Sequence, residues 1–168
     1  MEEEIAREHQ KPVDQILGLR TLAIVKGFDS ASAVLISRKV HARTIYDAKA
    51  LTGFRKMSSD CLEQLRAILL DPASYWNGWP IYRRFPPRPD FAIDVELGEQ
   101  NLSLMIDLQN PGWIFSSGTE YYWGFNFARR SLLPLAKSLF SEFASPNKSS
   151  VWKKGAIAQL ERMSDITG

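Results

Sequence analysis

The chain has 168 residues, 45% of them hydrophobic and 24% charged, with a net charge of +2 and a single cysteine, Cys61. That length supports one core that removes roughly two-thirds of the unfolded surface from water, so no disulfide or metal staple is required. The lone cysteine excludes an intrachain disulfide, the apolar share argues against disorder of the whole chain, and the small positive charge does not by itself argue for nucleic acid.

The start, Met1-Glu2-Glu3-Glu4, is acidic and lacks the basic-then-apolar layout of a signal peptide. Fully apolar runs such as Ala33-Val34-Leu35-Ile36 are far too short to span a bilayer. The expectation is a cytoplasmic chain with no membrane partner.

Residues 1–17 read as a helix interrupted near Pro12, because proline removes a backbone donor and clashes with the preceding turn. Residues 20–28 and 33–40 are rich in β-branched and apolar side chains. With Asp29-Ser30-Ala31-Ser32 as a turn they predict a hairpin. A short strand is expected near 53–57.

Residues 60–70 predict a helix. Asp60 is read as its cap with Glu63 three residues on, and Cys61, Leu62, Leu65, Ile68 and Leu69 form one apolar stripe. Asp71-Pro72 ends it, since the residue before proline avoids the helical region. Residues 75–89 read as a loop. Then Phe91, Ile93, Val95 and Leu97 alternate with polar or small residues, as do Leu102, Leu104, Ile106 and Leu108. Pairing 97 with 102 puts all of these on one face and predicts a second hairpin across a four-residue turn.

Further strands are expected around 113–115 and 121–127. A helix over 131–143 is capped by Ser131, with Pro134 in its first turn. Residues 1–145 are therefore expected to form a single α+β domain, an antiparallel sheet with helices packed on one face. Residues 146–168 read as a linker and a short basic amphipathic helix.

The residues that chemistry uses are sparse. His9 and His41 stand alone, without a second ligand at metal spacing, so no metal site is expected. Cys61 sits on an apolar helix stripe, where free cysteine behaves as a small hydrophobe. Neither a phosphate-binding glycine loop nor a nucleophile elbow occurs, and no cofactor is expected.

Two features stand out. The first is acidic: Asp90, Asp94, Glu96 and Asp107 fall on the polar face of the second hairpin. Pro89-Asp90, followed by Asp107-Leu108-Gln109, resembles the core of PD-(D/E)xK nucleases. That resemblance implies a catalytic set of Asp90, Asp94, Asp107 and Gln109 around a divalent ion, although Gln109 stands where that family has lysine.

The second is the 75–89 loop, which joins Tyr75, Trp76, Trp79, Tyr82 and Phe85 to Arg83, Arg84 and Arg88 with four prolines. Tyrosine, tryptophan and arginine concentrate at protein-binding hot spots, and proline lowers the ordering cost of a loop. The same side chains stack on bases, which makes nucleic acid the second partner class. They also serve to close one end of a core. Tyr122 and Trp123 lie in another aromatic cluster, and strand alternation would turn one of them outward.

Over about a quarter of the chain, Leu69-Leu70-Asp71-Pro72-Ala73-Ser74-Tyr75, Arg84-Phe85-Pro86-Pro87 and Asp107-Leu108-Gln109-Asn110 resemble a class of small bacterial proteins of unknown function. Those proteins carry Cys-Phe-x-Pro and Cys-Phe-x-Cys at the last two places. Their cysteines are missing here, so the resemblance implies a helix, loop and hairpin order and no metal or redox role.

The leading expectation is a non-enzymatic protein-binding module of immunity-protein, antitoxin or inhibitor type. Its contacts would be Trp76, Trp79, Tyr82, Arg83, Arg84, Arg88, Tyr122 and Trp123. The alternatives are a degenerate metal-dependent nuclease or nucleic-acid-binding protein, and a structural accessory subunit of a phage or mobile element.

Overall fold

The structure, a computed structural model, describes residues 11–38, 45, 47–75, 88–109, 112–118, 120–125 and 128–141. In chain order its elements are α1 (Val13–Leu17), α2 (Leu19–Gly27), β1 (Ser30–Leu35), β2 (Arg55–Lys56), α3 (Ser59–Leu70), a 3-10 turn (Pro72–Ser74), β3 (Phe91–Leu97), β4 (Gln100–Asp107), β5 (Gly112–Ser117), β6 (Glu120–Phe125) and α4 (Arg129–Leu139). The strands make one antiparallel sheet in the order β2-β1-β3-β4-β5-β6.

Strand alternation sends Ala31, Ala33, Leu35, Phe91, Ile93, Val95, Leu102, Leu104, Ile106, Trp113 and Phe115 into one core. The helices cover that face with Ile24, Val25, Leu65, Leu69, Leu132 and Leu135. Each fully buried aliphatic side chain of this kind contributes about 1.5–3 kcal/mol. The opposite face carries a smaller cluster of Val34, Ile36, Ala92, Met105 and Ile114, against which Ile45 and Ala48 pack. The chain is thus an α+β fold with helices on one face of an antiparallel sheet.

The second hairpin forms, in a register two residues from the expected one. Leu97 pairs with Gln100, Val95 with Leu102, Ile93 with Leu104 and Phe91 with Ile106. Because side chains alternate with period two, a shift of two leaves every residue on its expected face, so hydrophobic pattern alone cannot separate the registers. Turn geometry separates them. Gly98 has φ 58° and Glu99 a negative φ, which closes a two-residue turn of the type that needs glycine first.

The first hairpin does not form. Residues 20–28 lie mostly in α2, where Thr21, Ile24, Val25 and Phe28 are buried while Ala23 and Lys26 are exposed. That spacing is helical, and burial on the core outweighs the strand preference of Ile24 and Val25. Ser30–Ser32, expected as turn, are strand. β1 pairs with β3, about 60 residues away in sequence, and with β2.

On its outer side β1 meets an interrupted edge. Ala50 bridges Ile36, and Ala33 pairs with Arg55, while residues 52–54 leave the ladder. There the Thr52 hydroxyl accepts the Leu35 N–H at 3.2 Å, standing in for a backbone carbonyl. Phe54 projects from this bulge with 58% of its surface exposed. Such interruptions keep an edge from pairing with another chain.

The helix ends differ from expectation as well. α3 is capped by Ser58, whose side chain accepts from the Cys61 N–H at 3.3 Å, so Asp60 lies in the first turn. Asp71-Pro72 ends α3, and the Asp71 carboxylate caps the following 3-10 turn through the Ala73 N–H. α4 begins at Arg129, which places Pro134 inside the helix beyond its first turn. Pro12 immediately precedes α1. The expected tail over 146–168 lies outside the described residues.

Candidate functional site

Of the four acidic residues expected on a wet face, Glu96 is exposed and Asp94 half-buried, but Asp90 and Asp107 are not on one. Asp90 and Asp107 are fully buried, at 0% and 1% exposure, which overturns the solvated arrangement expected for them. What makes burial possible is Arg38, from the segment after β1. Its Nη1 lies 2.8 Å from Asp90 Oδ2 and 3.0 Å from Asp107 Oδ1. Two buried carboxylates are tolerable only when paired and hydrogen-bonded.

Backbone donors supply the rest. Asp90 Oδ2 also accepts the Leu108 N–H at 2.7 Å, while Asp107 accepts the Arg88 N–H at 2.9 Å and the Gln109 N–H at 3.1 Å. Asp90 Oδ1 is buried with no hydrogen-bond partner among the described residues. Burial pushes the Asp90 carboxyl up to about 6, against the opposing pull of Arg38 and the Leu108 N–H. Arg38 is driven above its ordinary value: its own burial acts against this, and the two aspartates outweigh it.

Asp94 does not join this pair. It is half-buried, paired in register with Ser103, and accepts from Asn101 Nδ2 at 3.3 Å. Four residues of strand separate it from Asp90, about 13 Å at the usual rise. Burial raises its carboxyl, and neighbouring Glu96 adds to the rise. Among the described residues no three histidine, cysteine, aspartate or glutamate side chains group as a metal site would require. Arg38 was missed from sequence. It lies two residues past the apolar run Ala33-Val34-Leu35-Ile36 and next to Lys39, and nothing in that local pattern marks it as the partner of two distant carboxylates.

Of the expected partner-binding residues, Trp76, Trp79, Tyr82, Arg83 and Arg84 lie outside the described residues. The flanks of their segment are described. Before it, Tyr75 is 2% exposed, its hydroxyl donating to the Leu69 carbonyl at 2.6 Å. Its ring meets Trp113 at 5.1 Å, Phe115 at 6.0 Å and Tyr122 at 5.9 Å, in the tilted and edge-on arrangements aromatic quadrupoles favour. After it, Arg88 is exposed, but its backbone is held by Asp107, and Pro89 and Asp90 are buried.

Tyr122 requires correction. It pairs in register with Phe115, so strand alternation sends its ring to the core side, 5.5 Å from the Phe115 ring, rather than to solvent. Burial pushes its hydroxyl up to about 12. The ring folds back over Gly124, where any Cβ would collide with the Tyr122 hydroxyl. Trp123 pairs with Ile114 across β5 and β6.

Comparison with known proteins adds little to this geometry. No protein family and no curated protein matches the chain in sequence. A solved structure, "Putative Lipoprotein from Clostridium perfringens", superposes with a TM-score of 0.45 at 9% identity, over 78% of this chain and 98% of that one. A likeness at that level carries no argument about function. No helix among the described residues is long and apolar enough to cross a membrane.

Proposed function

We propose that this chain is a non-enzymatic protein-binding module of the immunity-protein, antitoxin or inhibitor kind, acting in the cytoplasm by covering a partner protein. The contact surface is the segment carrying Trp76, Trp79, Tyr82, Arg83 and Arg84, with Arg88 at its end. One observation supports this most directly. Both flanks of that segment are anchored, Tyr75 in the aromatic cluster and Arg88 to Asp90 against the end of β4. A segment with fixed ends and three prolines has less freedom to lose on binding than a free loop.

The experiment is a pull-down of the tagged full chain from its native lysate, followed by binding measurements with the recovered partner. Trp79→Ala is expected to weaken binding by more than ~1 kcal/mol with melting little changed. Equal losses of binding and stability would return Trp79 to the core and end the reading. The nuclease reading gains no support from the geometry, because the Arg38 guanidinium stands between Asp90 and Asp107 where that reading needs a divalent ion.

A further inference from the structure

Asp90 sits where three strands meet. Its N–H donates to the Ile106 carbonyl of β4 at 2.8 Å, and its carbonyl accepts the Ile36 N–H, just past β1, at 3.1 Å. Its carboxylate reaches further along both neighbours. Oδ2 receives two donors, Arg38 Nη1 and the Leu108 N–H, while the buried Oδ1 receives none among the described residues.

We propose that Asp90, with Arg38 and Asp107, forms an acid-tightened clasp at the junction of β1, β3 and β4, which is held closed when Asp90 is protonated and opens more readily when it is ionised. With Asp90 ionised, the buried Oδ1 bears negative charge that no donor among the described residues meets, a costly arrangement in a low-dielectric interior. Protonation has an unambiguous place to occur: both donors hold Oδ2, so the proton goes to Oδ1. Among the described residues, the charged groups facing Asp90 are Arg38 from the segment after β1 and Asp107 from β4, which then remain as a balanced pair. On the segment leading into β3 the adjacent charged residue is Arg88, whose backbone N–H donates to Asp107 Oδ2.

Local opening hydrates Asp90 and returns it to ordinary carboxyl behaviour, so the open junction binds its proton more weakly than the closed one. The pull of burial on Asp90, up to about 6 from 3.8, has the same sign. A group whose folded value is raised gives its full stabilisation below its unfolded value and loses it as pH rises through the folded one. The clasp is therefore tightest below about pH 4, gives up that extra stabilisation between about pH 4 and 6, and above that is held by its Arg38 and backbone hydrogen bonds alone.

Amide hydrogen exchange on the full chain from pH 4.5 to 7.5, read at Leu108 and Asp90, tests this. After correction for intrinsic exchange, the opening equilibrium of the wild type is expected to rise roughly 20- to 30-fold across that range, with Asp90→Asn flat and protected throughout. A wild-type equilibrium flat across the range, or the same rise in Asp90→Asn, would overturn the proposal. Should that variant fail to fold, carbon-13 titration of the wild-type Asp90 carboxyl decides: a midpoint near 6 supports the clasp, and one below about 4.5 refutes it.

Discussion

Glu120, at the start of β6, caps α2 at Thr21, 99 residues earlier in the chain. Its Oε2 accepts the Thr21 N–H at 2.8 Å and the Thr21 hydroxyl at 2.9 Å, and its Oε1 accepts the Arg20 N–H at 3.2 Å. The residue before α2 is Gly18, which has no side chain with which to cap those amides.

These donors, the Thr21 N–H first, hold the Glu120 carboxyl below its ordinary value. A lowered folded value means stabilisation present above the unfolded value of about 4.3 and lost as pH falls through the folded one. Glu120→Gln is expected to lower Tm by a few degrees at pH 7 and to shrink the gap from wild type under acid conditions. Differential scanning calorimetry at pH 7 and pH 3 checks both; an equal gap at the two values would contradict the capping role.

Gly18 is bound to the same arrangement twice over. Its φ of 83° is a conformation L side chains rarely adopt, and a Cβ there would lie 3.0 Å from Glu120 Oε2. Gly18→Ala should cost more than ~1 kcal/mol in urea unfolding. Combining it with Glu120→Ala should cost less than the two single losses together, since the second change removes the atom the first collides with. Simple additivity would show the contact to be unimportant.

Arg38→Met leaves two buried carboxylates without their shared cation. Removing one partner of a buried pair typically costs about 3–5 kcal/mol, so a loss of that size is expected by urea unfolding at pH 7. The Asp90 carboxyl should then titrate above the value of about 6 it has beside Arg38. A carbon-13 titration showing no upward movement would mean that Arg38 does little for Asp90.

Thr52 holds the Leu35 N–H where the β2 edge leaves its ladder. Thr52→Val keeps the shape and removes the acceptor, stranding a donor, with an expected loss of about 1–3 kcal/mol. Thr52→Ser retains the hydroxyl and should lose less. Equal losses for the two would place the effect in the methyl group's packing.

Residues whose burial follows strict local periodicity were legible in the chain itself. Alternation over Phe91–Leu97 and Gln100–Asp107 identified the core face of the sheet, and the stripe of Cys61, Leu65, Ile68 and Leu69 identified α3. Both patterns are set by side-chain direction along a regular backbone, which needs no distant partner. The α+β class followed from these.

Where a distant group supplies the deciding energy, local pattern was insufficient. Residues 20–28 look like strand until the core takes their helical face and Glu120 caps the first turn. The hairpin register turned on Gly98, because a two-residue slip costs nothing in hydrophobic pattern. Asp90 and Asp107 read as wet carboxylates until tertiary structure brings Arg38 to them, 52 and 69 positions away in sequence. Sequence spacing sets which face a side chain takes, whereas pairing buried charges and satisfying helix ends depend on separations that exist only once the sheet has assembled.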